Sequence, residues 1–88
     1  MEFRWIEWNV EHLAQHGVDP EEAEDVINEA TSPYPQRIGD DKLLVWGAGR
    51  GGRLLQVIFV LDTNLTAFVI HARELTNREK SILRRKRR

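Results

Sequence analysis

The feature that most constrains the fold is a series of three strand-like segments with only short connections between them. The segments KLLVW (42–46), RLLQVIFV (53–60) and LTAFVIHA (65–72) are rich in β-branched and aromatic residues, as strands are. The glycine-rich residues 47–52 and the residues DTN (62–64) separate them. Because connections this short join neighbouring antiparallel strands, the pattern predicts a three-stranded antiparallel meander.

The first connection also contains the glycine spacing of a dinucleotide-binding turn, with Gly47, Gly49 and Gly52 forming G-x-G-x-x-G. In such a turn a helix follows the glycines and directs its free N–H groups at the pyrophosphate. In this chain a strand-like segment follows Gly52 directly, and the sequence between neighbouring strand-like segments is too short for the helix of a βαβ unit. We therefore interpret the glycines as a hairpin loop, reject an NAD-dependent enzyme, and predict no cofactor.

Helices are predicted before the meander and after it. The segment FRWIEW (3–8) alternates like a strand, and Asn9 is suited to cap a helix that ends at Gly17. A second helix has Asp19 as its N-cap, Pro20 in its first turn and Glu22 in capping-box spacing. Its predicted buried stripe contains Ala23, Val26, Ile27 and Ala30.

The remaining segments complete a predicted α+β fold of order β-α-α-β-β-β-α, with an antiparallel sheet and helices packed on one face. Residues 31–41 contain two prolines and are predicted to be a loop. Residues 76–88 begin with Thr76 and Glu79 in capping-box spacing and predict a basic helix or tail. A length of 88 residues predicts a single domain, 1–88.

Composition excludes several classes of site. The chain has no cysteine, which rules out disulfides, thiolate chemistry and Cys-based metal sites. It has no apolar run long enough to span a membrane and no secretory signal, so we expect a cytoplasmic protein. The net charge is −1, but residues 1–30 hold nine acids and one base, whereas residues 31–88 hold twelve bases and five acids. A basic face on the second half is consistent with a polyanionic partner.

Strand pairing predicts a cluster of cationic residues. If residues 62–64 form a three-residue loop, Leu55 faces His71 and Arg53 faces Arg73. Two arginines placed opposite each other favour a bound anion or a carboxylate, which in this chain could be Glu74 or the acidic helices. A two-residue turn would instead place Gln56 beside His71.

Three segments resemble the BrnT toxins, which belong to the RelE-like ribonuclease superfamily. They are HGVDPEEAEDVI (16–27), GRLLQVIFV (52–60) and HARELTNREKSILRR (71–85), and the resemblance covers nearly the whole chain. It implies a RelE-like domain whose sheet binds mRNA on a concave basic surface, with the helices packed behind the sheet. It also implies cleavage of mRNA, inhibition of translation, and a cognate antitoxin that covers the site.

The resemblance assigns the catalytic arginines to Arg53 and Arg73. Cleavage by a 2′-hydroxyl needs a base, cations for the charge that develops on phosphorus, and an acid for the 5′-oxygen. A guanidinium suits the charge, no metal is required, and His71, Glu74 and Glu79 are the candidate proton carriers. His12 and His16 are interpreted as surface and structural residues, Trp46 as core, and Tyr34 as either packed or stacked on a base. Further RNA-binding candidates are Lys42, Arg50, Arg78, Lys80 and the terminal RRKRR (84–88).

Two functions remain open at this point. The first is a metal-independent endoribonuclease toxin of a type II toxin–antitoxin system, acting on mRNA, free or on the ribosome, and held in a hetero-oligomer by a BrnA-like DNA-binding antitoxin. The second is a non-catalytic RelE-like module that serves as a binding partner or co-repressor.

Overall fold

The computed structural model describes residues 1–86, which form a four-stranded antiparallel sheet and three helices. The α+β class predicted from the sequence is therefore confirmed. None of the helices in this range has the length and apolar character needed to cross a membrane. The elements, in chain order, are α1 (Glu7–Ala14), α2 (Pro20–Asn28), β1 (Gln36–Arg37), β2 (Lys42–Ala48), β3 (Leu54–Leu61), β4 (Ala67–Glu74) and α3 (Asn77–Lys86).

The predicted meander is present as β2, β3 and β4, with a short strand added at the edge. The sheet order is β1-β2-β3-β4, and every neighbouring pair is antiparallel. Strand β1 lies inside the segment predicted as a loop and pairs with Leu43 and Leu44. Strand β2 continues through Gly47 and Ala48, which pair with Leu55 and Leu54. The glycine-rich connection is therefore a hairpin loop, as predicted, but it is confined to residues 49–53.

The register between β3 and β4 differs from the predicted one. Leu61 pairs with Ala67 instead of Leu65, because the turn extends to Thr66. The Asp62 carboxylate organises this turn by accepting hydrogen bonds from the N–H groups of Asn64 and Thr66, both at 3.0 Å. A β-bulge then leaves Ile70 without a partner and shifts the register again, so that Ile58 pairs with His71.

The core lies between one face of the sheet and the first two helices. Alternate residues of β3, including Leu55 and Val57, are fully buried. A Cβ built on Gly47, the partner of Leu55, would lie 3.8 Å from Val26 Cγ1, which places α2 on this face. The fully or nearly fully buried apolar residues are Leu13, Val18, Ala23, Val26, Ile27, Tyr34, Val45, Leu55, Val57, Phe59, Ala67, Val69, Ala72, Leu75 and Leu83.

Helix α2 forms as its sequence predicts. Asp19 Oδ1 accepts a hydrogen bond from the Glu22 N–H at 3.0 Å, and the Glu22 carboxylate accepts one from the Asp19 N–H at 3.5 Å. Pro20 occupies the first turn, where its missing N–H is not needed. Ala23, Val26 and Ile27 are buried and Ala30 packs against the core at its edge.

The predicted N-terminal strand is wrong. Of residues 3–8, all of which the structure describes, Phe3 alone forms a bridge, a parallel one with Ala67. Helix α1 begins at Glu7 with Ile6 as its N-cap, so Asn9 lies within the first turn rather than at the cap. The helix ends at Ala14, before the predicted end, and Gly17 follows it with a φ of +69°, the left-handed conformation that was expected of this glycine.

The N-terminal residues cover the exposed edge of β4. The Arg4 N–H donates to the Ala67 carbonyl at 2.9 Å, and the Ala67 N–H donates to the Glu2 carbonyl at 2.8 Å. Farther along, Asn9 Nδ2 donates to the Val69 carbonyl at 3.1 Å. An uncovered edge strand can pair with other chains, and these contacts occupy part of this one.

Helix α3 begins with the predicted capping box. The Glu79 N–H donates to Thr76 Oγ1 at 3.2 Å, and the Thr76 N–H donates to Glu79 Oε1 at 2.9 Å. The basic RRKRR segment (84–88) enters this helix, but its last two residues lie outside the described range.

Candidate nucleic-acid interface

Arg53, predicted as a catalytic residue, connects the glycine loop to the start of α2. Its Nη2 atom donates to Glu22 Oε1 at 2.6 Å and to the Gly17 carbonyl at 2.8 Å, while Nε donates to Glu22 Oε2 at 3.2 Å. The hydrogen bond to Glu22 raises the pKa of Arg53 above its ordinary value. This guanidinium therefore joins two loops of the fold.

Arg73, the second predicted arginine, is directed at α3. Its Nη1 and Nη2 atoms donate to the two carboxylate oxygens of Glu79 at 2.7 and 2.8 Å, a bidentate pair. Nη2 also lies 3.3 Å from Gln56 Oε1, and Gln56 is the register partner of Arg73. The predicted pairing of Arg53 with Arg73 is wrong, because the longer turn and the bulge change which residues face each other.

The two arginines lie on opposite faces of the sheet. Gln56 is flanked by Leu55 and Val57, which are buried against the helices, so Gln56 and its partner Arg73 project from the other face. On that face Trp46 Nε1 donates to Gln56 Oε1 at 3.0 Å. The result is a polar row across the sheet, formed by Trp46, Gln56, Arg73 and Glu79, which we call the Gln56 row.

Tyr34, the other aromatic residue named from the sequence, lies next to Trp46 of this row. Tyr34 is 8% exposed, and its ring centroid is 6.4 Å from that of Trp46, with the planes inclined by 29°. Trp46 packs against the core, as predicted. The burial of Tyr34 favours its packed alternative over base stacking.

His71 projects from the same face as Arg73, two residues away along β4. Its register partner is Ile58, and the predicted pairing with Leu55 is wrong because Leu55 pairs with Glu74. The centroids of the His71 and His16 rings are 5.4 Å apart, with the planes inclined by 66°. Burial lowers the pKa of His71, and the nearby His16, Arg73 and His12 lower it further. A neutral imidazole, able to accept a proton, therefore lies next to a guanidinium.

The two glutamates named as proton carriers have different surroundings. Glu79 receives both the Arg73 guanidinium and the Thr76 N–H, which lower the pKa of Glu79 to about 2. A carboxylate with so low a pKa is a poor proton acceptor near neutral pH. Glu74 is more exposed and lies between two cations, with Lys80 Nζ at 3.3 Å and Arg53 Nη1 at 4.0 Å.

The structure brings only some of the predicted RNA-binding residues together. Lys80 donates to Glu74 at 3.3 Å, and the same carboxylate lies 4.0 Å from Arg53. Arg78 is exposed in the first turn of α3. Lys42 pairs with Val60 at the opposite end of the sheet. Arg50 is bound by Asp25 at 2.9 Å, on the α2 side, and the bond lowers the pKa of that carboxyl.

Sequence reasoning missed a set of stacked rings next to this region. The Trp8 ring lies 5.0 Å from His12 and 6.0 Å from Phe68 between centroids, with interplanar angles of 12° and 10°. The Arg4 guanidinium carbon lies 4.2 Å from the centroid of Phe68. We call Arg4, Phe68, Trp8 and His12 the aromatic ladder. The signal for it is the spacing of Trp8, His12 and His16 at every fourth residue, which the incorrect strand assignment concealed.

Two further observations complete the description of the region. Within residues 1–86, no group of three histidine or acidic side chains is arranged to hold a metal ion. No family model, curated protein or solved structure matches the chain.

Proposed function

We propose that this chain is the toxin component of a type II toxin–antitoxin system, a metal-independent endoribonuclease whose site lies at the His71–Arg73 end of β4. It cleaves mRNA in the cytoplasm, inhibits translation, and is neutralised by a BrnA-like DNA-binding antitoxin in a hetero-oligomer. The observation that carries this proposal is the proximity of a neutral imidazole, His71, to the guanidinium of Arg73 on a half-exposed face. The resemblance of residues 71–85 to BrnT toxins supports it from the sequence.

The chemistry assigns one step to each group. His71 accepts the proton of the 2′-hydroxyl as the 2′-oxygen attacks phosphorus, and Arg73 donates to the phosphate oxygens as negative charge develops there. The bond from phosphorus to the 5′-oxygen then breaks, and that oxygen takes a proton from an imidazolium. His16 is exposed and next to His71, so it is the second imidazole that can supply this proton.

Arg53 has a different role in this proposal from the one that the resemblance implies. Its hydrogen bonds to Glu22 and Gly17 hold the glycine loop against α2, away from the His71 face. We assign it to the stability of the fold, so its replacement should reduce activity only to the extent that it reduces the folded population.

Induction of variants in a bacterial host tests the site. Wild-type protein should arrest growth and create new discrete 5′ ends in cellular mRNA, detected by primer extension after a short induction. His71→Gln should reduce cleavage by roughly 10²- to 10⁴-fold, the range for general acid–base groups. Arg73→Ala should reduce it by roughly 10²- to 10³-fold, the range for a donor to developing negative charge. Arg50→Ala is the matched control, because that arginine contacts Asp25 on the α2 side. Circular dichroism of each purified variant checks folding.

A wild-type chain that creates no 5′ ends would contradict the nuclease and favour the second function. That function is a non-catalytic binding or co-repressor module, and the internal ion pairs of Arg53 with Glu22 and of Arg73 with Glu79 favour it. It predicts harmless induction with partner binding retained. Full cleavage by folded His71→Gln and Arg73→Ala proteins would instead show that the nuclease site lies elsewhere.

A further inference from the structure

One member of the aromatic ladder, Trp8, has a largely exposed side chain. Trp8 remains 52% exposed, although tryptophan is a residue that a small core can readily bury. It contacts Phe68 on β4 and His12 on its own helix, and each of these two rings is within 12° of parallel to the Trp8 ring. A large exposed ring in a defined orientation is suited to stack on another flat ring.

The aromatic ladder and the proposed cleavage site share one face of β4. Phe68, His71 and Arg73 project from one face of β4, because their partners Val60, Ile58 and Gln56 alternate with buried residues of β3. Phe68 and Arg73 are five residues apart, which corresponds to about 15 Å along a strand. A short single strand of RNA can cover that distance with a base at one end and a phosphate at the other.

The charges at the two ends fit a nucleic acid. Arg4 lies over Phe68 at one end, and Arg73 lies at the other. Each is held by a carboxylate, Arg4 by Asp62 at 3.8 Å and Arg73 by Glu79 at 2.7 Å, and a phosphate can compete for the same donors. Flat rings combined with cations are the elements with which proteins bind single strands without reading sequence.

We propose that Trp8 and Phe68 form a base-stacking platform for single-stranded RNA, which binds with its backbone directed along β4 toward Arg73. The inference rests on the proposed function, since it names how the RNA substrate is held beside the cleavage site. Trp8 is therefore a binding residue, outside the group of proton carriers.

Binding of a 2′-O-methyl RNA of roughly six nucleotides tests the platform. This RNA resists cleavage because its 2′-oxygen carries no proton, so affinity is measured separately from activity, by fluorescence polarisation over a range of salt concentrations. Trp8→Ala should weaken binding by roughly 5- to 150-fold, the range for one stacked base, while the slope of log affinity against log salt stays unchanged. Arg73→Ala should make that slope shallower by about 1 or slightly less.

Two control variants separate stacking from folding. Trp8→Phe keeps a flat ring and should retain most of the affinity. Val10→Ala removes a second exposed apolar side chain of α1, outside the stack, and should bind RNA like the wild type.

The outcomes distinguish this inference from the function on which it rests. If Trp8→Ala binds RNA as tightly as the wild type while Arg73→Ala binds weakly, the platform is wrong and the nuclease proposal stands. If the wild type creates new 5′ ends in cellular mRNA but does not bind this RNA, the platform is wrong and the nuclease proposal stands. If it does neither, both are wrong. If sedimentation shows that Trp8→Ala abolishes self-association and leaves RNA binding intact, the ladder is a protein interface and the inference is overturned.

Discussion

Asn9 shows how one polar side chain can replace several missing backbone partners. It is 0% exposed, and its Oδ1 accepts a hydrogen bond from the Ile6 N–H at 2.7 Å. Its Nδ2 donates to the carbonyls of Arg4 and Val69, both at 3.1 Å. One amide thus satisfies the start of α1 and the edge of β4 together, which explains why an asparagine is buried here.

Asn9→Leu should lower the free energy of unfolding by about 2–4 kcal/mol, because it leaves buried backbone groups without partners. Chemical denaturation followed by circular dichroism measures this. Asn28→Ala, at an exposed position of α2, is the matched control and should change the free energy by no more than about 0.5 kcal/mol. Equal effects of the two substitutions would contradict the role assigned to Asn9.

The two arginines show how one residue type takes different roles through its partners. Arg53 and Arg73 are both bound by a glutamate, but Glu22 belongs to α2 and Glu79 to α3. The sequence identified both glutamates as capping-box residues without indicating that either also binds an arginine. Only the tertiary structure brings residues 22 and 53 into contact.

At the scale of elements, the β3–β4 hairpin decides which groups form the site. Its turn closes through Asp62, which binds the N–H groups of two residues after it, and the strands then pair two residues later than predicted. The bulge at Ile70 adds a further shift. Since side chains alternate along a strand, such shifts change the residues that pair with Arg73. They also decide whether Arg73 and Arg53 project from the same face of the sheet.

The same turn contains a residue in an unfavourable conformation. Leu65 has a φ of +60° and is 71% exposed, so it has a left-handed backbone without compensating burial. Leu65→Gly should raise the free energy of unfolding by up to about 1 kcal/mol, the net of relieved strain and the greater flexibility of the unfolded chain. Thermal denaturation measures the change, with Thr63→Gly as the control in the same turn. A Leu65→Gly protein less stable than the wild type would contradict this account.

At the scale of the whole molecule, the acidic first third of the chain is packed against the basic remainder. Asp25 binds Arg50, Glu22 binds Arg53, and Asp62 of the later segment binds Arg4. The basic surface expected from the charge distribution is therefore partly neutralised by the fold itself.

The Arg73–Glu79 pair should make the free energy of unfolding depend on pH. The pKa of Glu79 is about 2 in the folded protein, against an ordinary value of 4.5. A depressed pKa means that the unfolded chain binds the proton more readily, so the stabilisation is fully present above pH 4.5 and is lost as the pH falls toward 2. The free energy of unfolding of the wild type should therefore decrease more steeply over this range than that of Glu79→Gln.

Denaturant titrations at several pH values test this dependence. Because other carboxylates titrate in the same range, the informative quantity is the difference between wild type and Glu79→Gln at each pH. That difference should shrink as the pH falls. A constant difference would show that ionisation of Glu79 contributes nothing to folding.

By itself, the sequence determined the features that depend on neighbouring residues. The capping boxes at Asp19 and Thr76, the left-handed glycine that follows α1 and the order of the three long strands all follow from local hydrogen bonding and side-chain periodicity. The tertiary structure decided the β3–β4 register, the separation of Arg53 from Arg73, and the placement of residues 2–9 along the edge of β4. These features depend on hydrogen bonds and ion pairs between residues that are far apart in the sequence. Such partners come into contact only when the whole chain packs.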